Sequence, residues 1–454
     1  MKVATLEGLK DRFRNAHPRT RKAQLNTFIG LLIKGGGMLT SLMLVPLTID
    51  YLSKDAYGTW LTISSIVTMI AFFDIGIGNG LRNKLSEALS NRNIILARTY
   101  ISTAYLVFGL LQLAFIVLFL VAFQYVPWKQ ILNTDINDDQ LQLVVLTTAI
   151  GMSIKLLLDI LTYVLFALQE PGKVSVLNFL PNILILIGTF ALTRFSTANI
   201  IYLSLLTAIS PILVLFISSI FLYKTQLKDY RPSFQLVELK YARNLLSLGY
   251  KFFVIQMTVI VIFYTDNLII TQLFGPSQVT TYNVAFRYFS AISNIFIIVI
   301  TPYWSAFTEA YVKGDANWMK NTYSYLQKLW IGLVIVVVVM VLAADTVYSV
   351  WIGSRVEVPF LLNVCMGLFV IISCWNNVAV YVINGLGKIQ LQLYVSLLSA
   401  IVNIPLAILF GKTLSLGSAG VILATCASLL IGSVACGIQA NKLITSKASG
   451  IWNR

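Results

Sequence analysis

Residues 100–124 read YISTAYLVFGLLQLAFIVLFLVAFQ, twenty-five positions without a charged side chain. A helix rises 1.5 Å per residue, so this stretch extends about 37 Å, while the hydrocarbon core of a bilayer is about 30 Å thick. Its apolar residues are continuous. A membrane barrel would show alternating segments of roughly ten residues instead. Outward from this stretch, eleven further segments repeat the pattern: 26–49, 58–80, 141–167, 174–193, 200–222, 246–272, 279–304, 323–344, 359–384, 389–410 and 418–440. The whole chain agrees. Its 454 residues are 57% hydrophobic and 11% charged, whereas a soluble domain carries about 25% charged residues. So few charges cannot build a water-facing surface. The expected fold is all-α and integral to the membrane, with about twelve transmembrane helices.

The formal charge of +15 does not point to nucleic acid, because the basic residues are sorted by loop. Lys2, Lys10, Arg12, Arg14, Arg19, Arg21 and Lys22 precede the first span. Arg92 and Arg98, then Lys224, Lys228, Arg231, Lys240 and Arg243, and Lys442, Lys447 and Arg454 follow even-numbered spans. The opposite side holds Lys54, Lys129, Arg194, Arg355 and Lys412. By the positive-inside rule both termini are cytoplasmic and the number of spans is even. The basic start leads into a full-length span with no small-residue cleavage site, so it reads as a retained topology signal rather than a signal peptide. Leu6, Leu9 and Phe13 could also line one face of a short surface helix.

Enzyme chemistry has little to work with. Cys365, Cys374, Cys426 and Cys436 lie in spans without CxxC spacing and read as small packing residues. The single histidine, His17, lies in the leader. The sequence contains no phosphate-binding loop, dinucleotide fingerprint or zinc motif. The longest predicted external loop, near 125–140, has about sixteen residues, too few to hold glycan-polymerising machinery.

The polar connection after span six contains Arg231-Pro232 and divides the chain. The expected organisation is a leader (1–24), a six-helix lobe (25–224), a linker (225–244), a second six-helix lobe (245–440) and a tail (441–454). Gly172-Lys173 and Gly387-Lys388 recur at an offset of 215, and Lys34 and Lys251 at 217. Six spans per lobe make such a repeat parallel, with a pseudo-twofold axis along the membrane normal. Transporters of this kind place their site at the interface of the repeats.

Ionisable residues at membrane depth cost about 3 kcal/mol each and need a reason. The bases are Lys34, Lys155, Lys251 and Arg287, with Lys328 at a helix edge; the acids are Asp74, Asp159 and Asp266. Position along the spans suggests the pairs Lys34–Asp74 and Asp266–Arg287. Lys155 and Asp159 share a helix face at i, i+4. Lys251 lies close enough to its span end to snorkel. One reading is that these are structural ion pairs tying helices together. The other is a cationic cleft between the lobes, suited to an anionic group such as a diphosphate. Gly35-Gly36-Gly37, directly after Lys34, is either a hinge or a site of close helix packing.

Two stretches carry a family resemblance. Tyr57-Gly58-Thr59-Trp60 followed by Phe73-Asp74-Ile75-Gly76-Ile77-Gly78-Asn79-Gly80-Leu81-Arg82 is one. Thr301-Pro302-Tyr303-Trp304-Ser305-Ala306-Phe307, then Glu309-Ala310 and Gly314-Asp315, is the other. With the Asn384–Lys388 turn they resemble the polysaccharide-biosynthesis flippases, the Wzx-like O-unit transporters of the multidrug/oligosaccharidyl-lipid/polysaccharide exporter superfamily. The resemblance covers essentially the whole chain. It implies two lobes around a central cavity in a bacterial inner membrane. It also implies a non-enzymatic flippase that carries a polyprenyl-diphosphate-linked oligosaccharide to the outer leaflet, coupled to a proton or sodium gradient and using no bound cofactor or metal. Implied partners are membrane lipids, the lipid-linked glycan and other membrane proteins of glycan assembly. Lys34, Arg287, Arg82, Lys155 and Lys251 are the candidate substrate contacts; Asp74, Asp159 and Asp266 are candidate ion-coupling or structural acids. A multidrug or metabolite antiporter of the same fold is the alternative, and a surplus of positive charge in the cavity argues against cationic drugs. A membrane glycosyltransferase or ligase is a third reading, opposed by the short external loops.

Overall fold

A computed structural model describes residues 18–71, 77–168, 170–242 and 265–453. Among them every regular element is a helix. In chain order these are α1 (Pro18–Tyr51), α2 (Lys54–Ala71), α3 (Ile77–Ser90), α4 (Ile94–Phe123), α5 (Asp138–Ala167), α6 (Pro171–Phe195), α7 (Ile200–Lys224), α8 (Thr265–Phe274), α9 (Pro276–Val312), α10 (Ala316–Trp351), α11 (Phe360–Leu386), α12 (Gln390–Ile408) and α13 (Gly417–Ile444). Nine are long and apolar enough to cross a bilayer, and they coincide with predicted spans three to six and eight to twelve. Span one is contained in the continuous α1. Spans two and seven fall partly outside the described residues, as do the leader face of Leu6, Leu9 and Phe13, and Arg243.

Several helices outrun their spans. α9 has 37 residues and α10 has 36, about 54 Å each at 1.5 Å per residue, well beyond a 30 Å core. An apolar run marks only the part that touches lipid. The helix continues through Lys320 and the cap at Asp315, whose side chain accepts the Trp318 amide at 3.0 Å. α5 is interrupted at Asp159, where the residue's carbonyl accepts the Thr162 hydroxyl at 2.7 Å. Gly387 ends α11 in a left-handed conformation (φ 71°), and the Lys388 amide closes back on the Ile383 carbonyl at 3.1 Å. Gly172, its sequence counterpart, sits instead inside the first turn of α6.

The first lobe has two buried cores. One gathers Leu81, Ile101, Phe108, Leu161 and Leu215. The other gathers Ile63, Leu132, Leu141 and Val144 nearer the turn between α4 and α5. The second lobe's core is continuous, and it also takes in Val45, Ile49, Tyr57 and Leu61 from α1 and α2. The two lobes are therefore fused along part of their boundary. Large apolar side chains left on the perimeter, such as Leu118, Leu342 and Ile401, are what a lipid-facing surface requires. The chain is a multi-pass membrane protein. The four cysteines are buried and free, as packing residues should be. α1 runs unbroken through Gly35-Gly36-Gly37, and a Cβ at Gly36 would meet the Phe179 ring of α6 at 2.9 Å. Gly36 thus serves close packing of α1 on α6, whereas a Cβ at Gly35 would meet nothing.

The linker is strapped to the first lobe. The Ser233 amide donates to the Ser102 hydroxyl at 2.9 Å and the Glu238 amide to the Thr103 hydroxyl at 3.1 Å. Lys129 and Arg355 lie at one end of the molecule and Lys228 at the other. Reporter fusions at Lys129 and Arg355 are expected to read external, and fusions after Lys228 internal. An external reading at Lys228 would invert the orientation.

Candidate functional site: the seam between the lobes

The hydrogen bonds joining the lobes among the described residues all lie in one half of the molecule, the half predicted to be external. α2 faces α8 and α9. Thr62 and Thr271 share a hydroxyl bond of 2.6 Å, Asn267 donates to the Ser65 hydroxyl at 2.7 Å, and Thr280 donates to the Lys54 carbonyl at 2.6 Å. Gly58 makes this approach feasible, because a Cβ there would lie 1.8 Å from the Pro276 carbonyl oxygen. α1 is tied to the second lobe by the Trp351 indole, which donates to the Leu42 carbonyl at 2.9 Å. At the rim Arg355 grips Asp50 with both sides of its guanidinium fork, one contact being Nη2 to Oδ2 at 2.7 Å.

Among the described residues the seam's hydrogen bonds extend as far as Arg287. Its Nη1 donates to the Ser41 carbonyl at 2.9 Å and to the Ser41 hydroxyl at 2.6 Å. Ser41 is ten residues from the end of α1, about 15 Å along the helix and half the bilayer core. A guanidinium has five N–H donors. Only Nη1 has a partner among the described residues, and the side chain is half-buried. The arginine is thus held by one corner of its fork between α9 and α1, with its other donors unclaimed among the described residues. Lys34 occupies α1 seven residues before Ser41, two helical turns and about 10 Å farther from the external end. The Lys34 side chain, Asp74 and Lys251 lie outside the described residues, and with them the expected Lys34–Asp74 pair.

The expected Asp266–Arg287 pair does not form. Asp266 is 3% exposed and accepts the Tyr282 hydroxyl at 2.6 Å and the Thr425 hydroxyl at 3.4 Å. The face of α9 that meets Asp266 is the Tyr282 face. Arg287, five residues on, is rotated about 140° from it at 3.6 residues per turn, toward α1. Asn403 completes the cluster, donating to Thr425 at 3.1 Å. Oδ1 of Asp266 and Oδ1 of Asn403 are both buried without a hydrogen-bond partner. Four helices therefore meet in one buried polar cluster, in which two oxygens have no hydrogen-bond partner. The remaining candidates stay within the first lobe. Lys155 and Asp159 form the expected ion pair, and Lys155 borders a cavity of about 150 Å³ with Trp60, Ser64, Thr68 and Thr148. Arg82 is exposed, with its guanidinium 5.0 Å from the Phe166 ring centroid.

A family model described as polysaccharide biosynthesis protein matches residues 24–308. The chain belongs to the polysaccharide biosynthesis protein family. A Salmonella typhimurium protein named as a candidate O-antigen transporter is 22% identical over 407 residues, covering 88% of this chain and 90% of the relative. Among solved structures, a multidrug resistance MATE family transporter of the MOP superfamily in an inward-facing conformation superposes with a TM-score of 0.72 at 14% identity, covering 93% of this chain and 98% of the other. The lipid II flippase MurJ, in an inward closed conformation, gives 0.66 at 16% identity, with 94% and 89% covered. The fold is the one these transporters share, about twelve helices in two lobes.

Sequence reading of this polysaccharide biosynthesis protein overlooked Ser41, Tyr282, Asn403 and Thr425. Asn403 carried a usable signal, as an amide inside an apolar span two residues before Pro405. A serine or threonine in a membrane helix is too common to stand out. Because Asp266 and Arg287 have separate partners, the losses from Asp266→Asn and Arg287→Gln are expected to add in the double mutant, within about 0.5 kcal/mol, in abundance and transport assays. A double mutant healthier than either single variant would restore the direct pair.

Proposed function

We propose that this protein is a flippase for polyprenyl-diphosphate-linked oligosaccharides, working by alternating access in a bacterial inner membrane. The family match supports the substrate class. The observation that carries the mechanism is the seam whose hydrogen bonds extend as far as Arg287. On this reading the seam seals the external end of a cleft that opens toward the cytoplasm, with the Arg287 guanidinium at its head. A diphosphate offers the paired oxygens that a guanidinium fork recognises. Lys34, two turns along α1, is the second candidate cation, since an ammonium meets phosphate as a point charge. Lys155 is already neutralised by Asp159, and Arg82 lies over Phe166, so they rank below Arg287 as substrate contacts; Lys251 remains a candidate.

Gradient coupling belongs with the Asp266 cluster. Oxygen atoms of Asp266, Asn403 and Thr425 provide hard ligands of the kind that sodium prefers, and the carboxylate alone can take a proton. Occupation would neutralise a charge buried between α8, α9, α12 and α13, and α8 and α9 carry the second lobe's half of the seam. A cation in the cluster can thereby bias opening of the seam.

The test is complementation of a strain lacking its own O-unit flippase, scored for surface glycan. Wild-type protein is expected to restore glycan, and Asp266→Asn to restore little at equal membrane abundance. Drug resistance without glycan, across a panel of O-unit backgrounds, would favour the antiporter reading.

A further inference from the structure

The linker and α4 build a groove that takes no part in the seam. Ser102, Leu106, Gly109 and Leu113 form one stripe of α4, at helical spacing. The linker residues Pro232 to Val237 close over the start of this stripe. The space between them is about 430 Å³, within the range of small-ligand pockets. Gly109 is one of its lining residues, and a Cβ there would meet only Leu157 Cδ1, at an ordinary contact distance of 3.8 Å, so a side chain can be added at this position. α4 packs against α3, α5 and the linker, on the far side of the lobe from Arg287.

The groove has the polarity of a lipid. Its linker end carries Ser102, Ser233 and the Tyr105 ring, and its deep end is Leu110 and Leu113, both more than half exposed. From Ser102 to Leu113 is about 17 Å along the helix, close to the 15 Å half-thickness of the hydrocarbon core. Arg98, one turn before Ser102, is the last charge before the apolar run. Its Nε donates to the Arg231 backbone carbonyl at 3.2 Å, and Arg231 directly precedes the lining residue Pro232, so both arginines belong to the linker end of the groove. Among the described residues neither has an acidic partner. Of the linker's acids, Glu238 is held by Lys240, and Asp229 stands two residues before Arg231.

The geometry points to a binding site for one anionic phospholipid of the leaflet on the linker side. One acyl chain lies along the α4 stripe from Ser102 to Leu113, and the phosphate meets Arg98 and Arg231. A groove one leaflet deep suits an acyl chain and is too short for a polyprenyl chain. The bound lipid would hold the linker against the first lobe, independently of what the seam transports.

The test is native mass spectrometry of the full-length protein from a neutral detergent, titrated with phosphatidylglycerol and, separately, phosphatidylethanolamine of the same chains. Wild type is expected to retain one phosphatidylglycerol in preference. Gly109→Phe fills the groove and should weaken that binding about tenfold, by the lost contact of a buried chain. Arg98→Gln with Arg231→Gln should erase the headgroup preference, roughly fivefold per arginine, while leaving weak binding of either lipid. The proposal falls if wild type holds the two lipids equally, or if Gly109→Phe protein with unchanged melting and elution binds phosphatidylglycerol as wild type does. It also falls if the arginine variants keep full preference, or if added polyprenyl phosphate displaces the retained phosphatidylglycerol at equal concentration.

Discussion

Replacing Gly58 by alanine is expected to pry the lobes apart at the external end. The new Cβ would fall 1.8 Å from the Pro276 carbonyl oxygen and 2.5 Å from its carbon, and both are backbone atoms that cannot rotate away. α2 and α9 must separate, and the bonds Thr62–Thr271 and Thr280–Lys54 stretch with them. Overpacking of this kind costs about 1–3 kcal/mol, and a clash with backbone belongs at the upper end. That would shift a two-state equilibrium by about tenfold to a hundredfold away from the closed seam. The measurement is labelling of Thr271→Cys by an impermeant maleimide added outside, with and without Gly58→Ala, in a background whose four native cysteines are replaced. Labelling should rise sharply and surface glycan should fall. Unchanged labelling and wild-type glycan at normal abundance would show that the seam is not closed at Gly58.

The second large effect is at Arg287. Its two bonds to Ser41 tie α9 to α1, and its unclaimed donors are the ones proposed to meet the substrate. Arg287→Ala removes both and is expected to reduce transport by about 10- to 100-fold, the scale of one or two hydrogen bonds to a charged group. Arg287→Lys keeps charge but not the fork, and should retain an intermediate rate. Ser41→Ala separates the roles, since it removes one acceptor of the tie and leaves the guanidinium in place. Initial rates of flipping in proteoliposomes with lipid-linked oligosaccharide would check this, with protein amount matched. If Ser41→Ala is as damaging as Arg287→Ala, the arginine acts as a tie alone. If Arg287→Ala transports normally, the diphosphate contact moves to Lys34 and Lys251.

The rim pair Asp50–Arg355 belongs to the same closed state. Both side chains are exposed, so the pair is worth at most about 1 kcal/mol. A contribution of that size is small beside the expected effects at Gly58 and Arg287.

The sequence by itself determined what depends on position along one chain. Continuous apolar runs such as 100–124 fixed the spans, because lipid demands that a crossing segment satisfy its own backbone. The i, i+4 spacing fixed Lys155 against Asp159, since a helix brings those two positions to one face whatever surrounds it. The depth of Arg287 within its span was also readable. What sequence could not supply was direction around each helix axis and which helix stands beside which. Asp266 and Arg287 were close in expected depth, yet they part because Tyr282 and Arg287 face opposite ways from α9. Gly58 read only as part of a motif; its reason is the Pro276 carbonyl of a helix more than 200 residues later. The unclaimed oxygens of Asp266 and Asn403 exist because α8 and α12 converge. Depth is set by each segment's own interaction with lipid, whereas azimuth and neighbours are set by side-chain packing between segments, where no single stretch of sequence holds both partners.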